Sequence, residues 1–255
     1  MTTSDNRAHD AAPEVPIRDR RRRGILTFLR DVVVIIIIAL LVSFLVKTFL
    51  VRSFYIPSAS MEHTLIEQDR ILVDELTPRF GGYERGDVVV FRDPGGWLSP
   101  EMAAPSQGPV VDAIEWVLSL VGLAAPDSDD HLIKRIIGLP GDHVVCCNEL
   151  GQLTVNGIPI DETSYTQLPE PGAPASGVDF DITVPAGSLW VMGDNRYRSQ
   201  DSRFNQDQPG KGFVPVDNVV GRAFIITWPF DRFGPLDFHH EVFGAVPDAE
   251  EEPQP

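Results

Sequence analysis

Two kinds of side chain in this sequence could together make and break an acyl bond. One is a serine in the stretch Phe54-Tyr55-Ile56-Pro57-Ser58-Ala59-Ser60-Met61, and the other is the lysine inside the run His131-Leu132-Ile133-Lys134-Arg135-Ile136-Ile137. Pro57 restricts the backbone around it, and the small residues that follow leave a hydroxyl and a backbone N–H accessible in a tight space. The chain has only three lysines among its 21 Lys and Arg residues. An ammonium placed in an apolar strand either reaches water or is desolvated. Desolvation favours the neutral amine, which can take a proton from a serine without any histidine. Alternation along the strand predicts Arg135 on the solvent face and Lys134 pointing inward. Taken singly, each feature has an ordinary reading, Ser-Ala-Ser as linker and Lys134 as an edge residue with its head in water.

These groups follow an apolar segment. The basic cluster Arg20 to Arg23 precedes a run from Val32 to Val51, which at about 20 residues and roughly 30 Å is long enough to cross a hydrocarbon core. Lys47 near its outer end can snorkel to the headgroups. Phe49, Leu50, Phe54 and Tyr55 make a poor small-residue cleavage site, so an uncleaved anchor is expected rather than a secretory leader. The basic flank predicts residues 1–31 as a disordered cytoplasmic tail, 32–51 as a single transmembrane helix and the remainder outside.

Beyond the anchor the dominant period is two. Short strands are predicted at Arg70–Asp74, Asp87–Arg92, His131–Ile137, His143–Cys147, Gln152–Val155, Phe180–Val184, Ser188–Met192 and Asn218–Thr227, with a hairpin turn at Asn156-Gly157. Residues 93–130 read as an insertion with one amphipathic helix in Val110–Leu123, residues 161–179 as a Pro- and Gly-rich loop without nameable chemistry, and 244–255 as a disordered acidic tail. The expected domain therefore covers 52–243. Cys146 and Cys147 are adjacent and cannot staple distant segments. The plain expectation is two partly buried small hydrophobes, with a vicinal disulfide as the alternative in an oxidising compartment. His239-His240 shows no convergent ligands at metal spacing, so no metal is expected. The formal charge of −16 supplies no basic face and argues against nucleic acid as a partner.

Five stretches, taken in order, resemble the bacterial type I signal peptidases, membrane-bound serine proteases that remove signal peptides from exported proteins. They are the anchor near Val32 to Val51; Ser58-Ala59-Ser60-Met61; Arg70 to Asp74 with Arg85-Gly86-Asp87-Val88-Val89-Val90-Phe91; Lys134-Arg135-Ile136-Ile137-Gly138-Leu139-Pro140-Gly141-Asp142; and Gly193-Asp194-Asn195-Arg196 with Ser199, Asp201, Ser202 and Arg203. The resemblance implies a mainly β fold, with one transmembrane helix before an extracytoplasmic catalytic domain and no cofactor. It makes Ser60 the nucleophile and Lys134 the general base. Ser58 and the Ser60 N–H become the oxyanion hole, Ser199 the residue that orients the base, and Asp201 and Arg203 an ion pair near the site. Asp194, Asn195 and Arg196 become supporting residues. Phe54, Ile56, Met61, Ile71, Val73, Ile133 and Ile136 are the candidates to line shallow pockets for small substrate side chains. Arg196-Tyr197-Arg198 departs from the smaller polar or acidic residues common in the family at that place, which bears on the rim of the site. The implied partners are preproteins bearing signal peptides, the lipid bilayer and the nearby secretion machinery. Two other readings remain at this point: a Ser-Lys protease dedicated to one surface or pilin-type partner, and a non-catalytic membrane-tethered β-domain that binds envelope proteins.

Overall fold

The computed structural model describes residues 27–42, 51–76, 80–98 and 130–249. It divides into two compact units, one within Met1–Val46 and one within Lys47–Pro255. In the first, residues 27–42 form a helix, α1, whose large apolar side chains from Phe28 to Val42, other than the half-buried Val32, are exposed. The anchor expected at 32–51 and the disordered tail expected at 1–31 are both corrected at their shared boundary, since residues 27–31 are helical. Val51 already belongs to a strand, because its backbone pairs with Asp74. No described helix is long and apolar enough to cross a membrane. Residues 43–50 and the basic cluster Arg20–Arg23 lie outside the described residues.

The second unit is built of β-strands: β1 (Val51–Tyr55), β2 (Arg70–Asp74), β3 (Val88–Arg92), β4 (His131–Gly138), β5 (His143–Cys146), β6 (Thr154–Val155), β7 (Ile158–Pro159), β8 (Phe180–Thr183), β9 (Ser188–Met192), β10 (Val214–Pro215), β11 (Val219–Trp228) and β12 (Gly234–Pro235). The larger sheet runs β1-β2-β11-β3-β4-β9-β10 with β12 on β11, and the smaller runs β7-β6-β5-β8. Asn156 and Gly157 both take positive φ, as the two-residue turn joining β6 to β7 requires.

Strand β4 decides where the site lies. It sits between β3 and β9, and its last six residues, Ile133 to Gly138, are all buried. Alternation therefore offers no solvent face, and the expected outward position of Arg135 is corrected: its side chain is fully buried. One face of the larger sheet packs Phe54, Ile56, Met61, Leu65, Ile71, Val73 and Ile133 into a common core. The other packs Val89, Phe91, Trp97, Ile136 and Val191. A third core joins Trp190 and Met192 to the smaller sheet.

Three further expectations change. Cys146 and Cys147 are joined as a vicinal disulfide rather than standing as two thiols. The start of the predicted insertion is packed: Asp93 accepts N–H bonds from Gly95, Trp97 and Leu98, and Trp97 meets Phe91 edge-on at 5.7 Å. The amphipathic helix expected at Val110–Leu123 lies outside the described residues. Finally, residues 244–249 are not a free tail. Val246 is buried with the third core, and the Pro247 carbonyl accepts from Arg85 at 3.2 Å and from Asn156 at 3.0 Å. Composition suggested disorder there, but one buried valine and two hydrogen bonds to the Pro247 carbonyl dock the segment.

Candidate active site

Ser60 lies in a single 3-10 turn, Ala59–Met61, with three residues between it and the end of β1. Ser58 is extended at φ −133° and ψ 155°, so the chain turns only at Ala59. Met61, with no exposed surface, pins the turn into the core. The turn thus holds the Ser60 hydroxyl against the sheet by burial of its neighbour.

Lys134 reaches the same point from β4, where it pairs with Val89 of β3. Its Nζ donates to Ser60 Oγ at 2.7 Å and to the Ile133 carbonyl at 2.8 Å. Burial lowers the pKa of this amine from 10.5 to about 8, against the opposing charges of Asp201 and Asp194. When the amine is neutral, one lone pair is free to accept the Ser60 proton while an N–H still holds the Ile133 carbonyl. Ser58 Oγ stands 3.3 Å from Ser60 Oγ on the more exposed side.

The turn after β9 closes the site from below. Asn195 N–H donates to the Ser60 carbonyl at 3.1 Å. Gly193 N–H donates to Asp201 Oδ2 at 3.0 Å, and Asp201 is forked by Arg203 at 2.8 and 2.7 Å. Burial raises the Asp201 carboxyl, but Arg203 overcomes it, and the group is held below the usual carboxylate range. Ser199 is buried beside Gly193. Its Oγ has no hydrogen-bond partner of good geometry, although it lies close enough to Asp201 to help lower that carboxyl. No Ser199–Lys134 bond accompanies the lysine's contacts to Ser60 and Ile133, which differs from the direct base-orienting contact expected of Ser199.

Asp194 is forked by Arg135 at 2.9 and 2.8 Å and accepts the Thr64 hydroxyl. Arg135 also donates to the Gly86 carbonyl at 2.7 Å. Arg196 is forked onto Glu162 at 2.7 and 2.6 Å. Sequence reasoning assigned no role to Thr64, Arg135, Glu162 or Gly193. For Gly193 a signal existed: the first glycine of Gly-Asp-Asn-Arg is needed where two backbones and a serine converge.

The pocket candidates fall into two groups. Phe54, Ile56, Met61, Ile71, Val73 and Ile133 share the core beneath Ser60, whereas Ile136 packs on the opposite face of the sheet. Met61, Ile71, Val73 and Ile136 have no exposed surface, and Phe54, Ile56 and Ile133 are buried as well, at 3%, 2% and 7% exposed. Away from the site, the lack of convergent ligands expected near His239 is corrected. Asp237, His239 and Glu241 bring ligand atoms within 4.8 Å of one another, although His239 Nδ1 is already within 3.2 Å of Glu241.

A family profile described as signal peptidase, peptidase S26, matches residues 29–228. The chain is 39% identical over 248 residues to signal peptidase I of Mycobacterium tuberculosis, covering 88% of this chain and 84% of that protein. It is 34% identical to signal peptidase I of Leptolyngbya laminosa over 71% of this chain and 70% of that one. It is 31% identical to signal peptidase I U of Bacillus subtilis over 83% and 92%. A solved signal peptidase I of Enterococcus faecalis matches with a TM-score of 0.34 at 24% identity, over 55% of this chain and 95% of that one. With the family profile spanning most of its length and curated relatives at this level of identity, the chain belongs to the signal peptidase family, peptidase S26, and is a serine endopeptidase.

Proposed function

We propose that Ser60 and Lys134 are a Ser-Lys dyad that cleaves signal peptides from exported preproteins through an acyl-enzyme. The observation that carries this reading is the 2.7 Å contact between the Ser60 hydroxyl and a buried amine whose pKa is lowered to about 8. Neutral Lys134 accepts the Ser60 proton as Oγ attacks the scissile carbonyl, and negative charge gathers on the former carbonyl oxygen. The Ser60 N–H and the Ser58 hydroxyl are the donors placed to meet that charge. The lysine then gives its proton to the leaving amine, the C–N bond breaks, and the signal peptide remains as an ester on Ser60. Lys134, neutral again, draws a proton from water as the water attacks the ester; the bond to Ser60 Oγ then breaks, that oxygen takes the proton back from Lys134, and the acid product leaves as its carboxylate. Ser199 is the proposed acceptor for the third N–H of the charged lysine.

The substrate's small side chains before the cut are read as packing near Phe54, Ile56 and Ile133. Membrane tethering with the N-terminus cytoplasmic and the catalytic unit outside accounts for α1, where Val33, Ile35, Ile37 and Leu40 are exposed apolar side chains. Trp228, Phe230 and Phe233 add an exposed aromatic patch suited to the headgroup region. Enzyme and preprotein held in one bilayer meet at high effective concentration, near the secretion machinery that delivers the substrate.

The deciding experiment incubates the full-length chain in detergent with a preprotein and sequences the new N-terminus. Cleavage after small residues is expected for the wild type and none for Ser60→Ala or Lys134→Ala, each still folded. Cleavage by either variant would refute the dyad.

A further inference from the structure

We propose that Glu162 is a positioning residue for the Ser60–Lys134 pair. This role deepens the Ser-Lys reading above and rests on it. Glu162 lies in the loop 161–179, whose sequence offers no recognisable chemistry, yet its side chain is only 4% exposed. One carboxylate there accepts three hydrogen bonds from two side chains. Both terminal nitrogens of Arg196 fork onto it at 2.7 and 2.6 Å, and the Tyr165 hydroxyl donates to Oε1.

Each partner leads to one member of the dyad. Arg196 follows Asn195, whose N–H holds the Ser60 carbonyl. The same loop grips that segment through its backbone: Gln167 N–H donates to the Asp194 carbonyl at 2.8 Å, and Arg196 N–H to the Gln167 carbonyl at 3.2 Å. Tyr165, fully buried, packs its ring under the Arg135 guanidinium, 4.3 Å from centroid to carbon. Arg135 adjoins Lys134 on β4 and ties Asp194 to Thr64, three residues past the turn's Met61. Glu162 therefore sets the spacing of nucleophile and base from both sides. Proton transfer depends on that spacing, and a misplacement of about 1 Å can cost roughly 100-fold in rate.

A carboxylate that only neutralised Arg196 would behave differently. Removing it alone leaves a buried charge unpaired and destabilises the fold, whereas removing both partners relieves that penalty. The test compares full-length wild type, Glu162→Gln and Glu162→Gln/Arg196→Gln in detergent, measuring kcat per folded molecule, with the folded fraction taken from near-UV circular dichroism. Expected is a kcat at least tenfold below wild type in the double variant, with KM within twofold. The pH midpoint is expected to stay in place, because the charges that act on Lys134 are those of Asp201, Asp194 and Arg203. Wild-type kcat in the double variant, or failure of both variants to fold at all, would overturn the positioning role and leave Glu162 a structural counter-ion. Ser60→Ala in the same assay separates the two ideas: its activity would sink the dyad itself, whereas its inactivity beside a fully active double variant would sink only the role of Glu162.

Discussion

Gly193 donates its backbone N–H to Asp201 Oδ2 at 3.0 Å while its α-carbon faces Ser60. A methyl group there would overlap the Ser60 carbonyl and the Ser199 side chain. The Ser60 carbonyl cannot retreat freely, since it is held by Asn195. Gly193→Ala is therefore expected to push the nucleophile away from Lys134 and lower kcat about 100-fold or more, measured by preprotein cleavage. A variant with wild-type kcat would show that the turn has slack the packing does not reveal.

The pH profile follows from the sign of the Lys134 shift. Burial lowers its pKa to about 8, and the neutral form is the active one. Cleavage should rise with pH and level off above about 8. Asp201 opposes the burial by favouring the charged amine, so Asp201→Asn should move the midpoint to lower pH, even as lost support for Gly193 lowers the plateau. A midpoint that moves upward in the Asn variant, or a wild-type profile flat from pH 5 to 9, would remove Lys134 as the base.

The parts of the fold that were legible in the sequence are those set by local pattern. Period-two runs marked β2, β3, β4 and β11, and Asn156-Gly157 marked its hairpin. What escaped was set by distant partners. Arg135 looked like a surface residue because alternation assumes that one face of a strand meets water, and β4 is covered on both. Glu162 and Tyr165 looked like loop residues because Arg196 and Arg135, which take them out of water, lie about thirty residues away along the chain in either direction. Ser60 and Lys134 were legible because a serine among small residues and a lysine among isoleucines are each locally odd.

Ser58 stands 3.3 Å from Ser60 Oγ and is exposed. As an oxyanion donor it acts only once charge develops on the substrate. Ser58→Ala should leave KM and the melting temperature unchanged and lower kcat roughly 100-fold, the lower end of the range for losing one such donor. A loss confined to KM would instead make Ser58 a ground-state contact.

The dyad also carries a cost that its removal should expose. Below pH 8 the folded protein must hold a proton on a buried Lys134 that the unfolded chain holds freely at 10.5. That gap corresponds to roughly 3 kcal/mol against folding. Lys134→Met keeps a long, flexible side chain in the same space and discards the charge. The variant should be inactive and melt several degrees higher at pH 7. As pH rises from about 8 to 10.5 the wild type sheds this proton in the folded state before the unfolded one, so its stability climbs and the advantage of Met should fade across that interval. Melting curves of both proteins at pH 7 and pH 10 decide the matter: a Met variant less stable than wild type at pH 7 would mean that the Lys134 contacts to Ser60 and Ile133 outweigh its desolvation, and that the amine is not held poised to lose its proton.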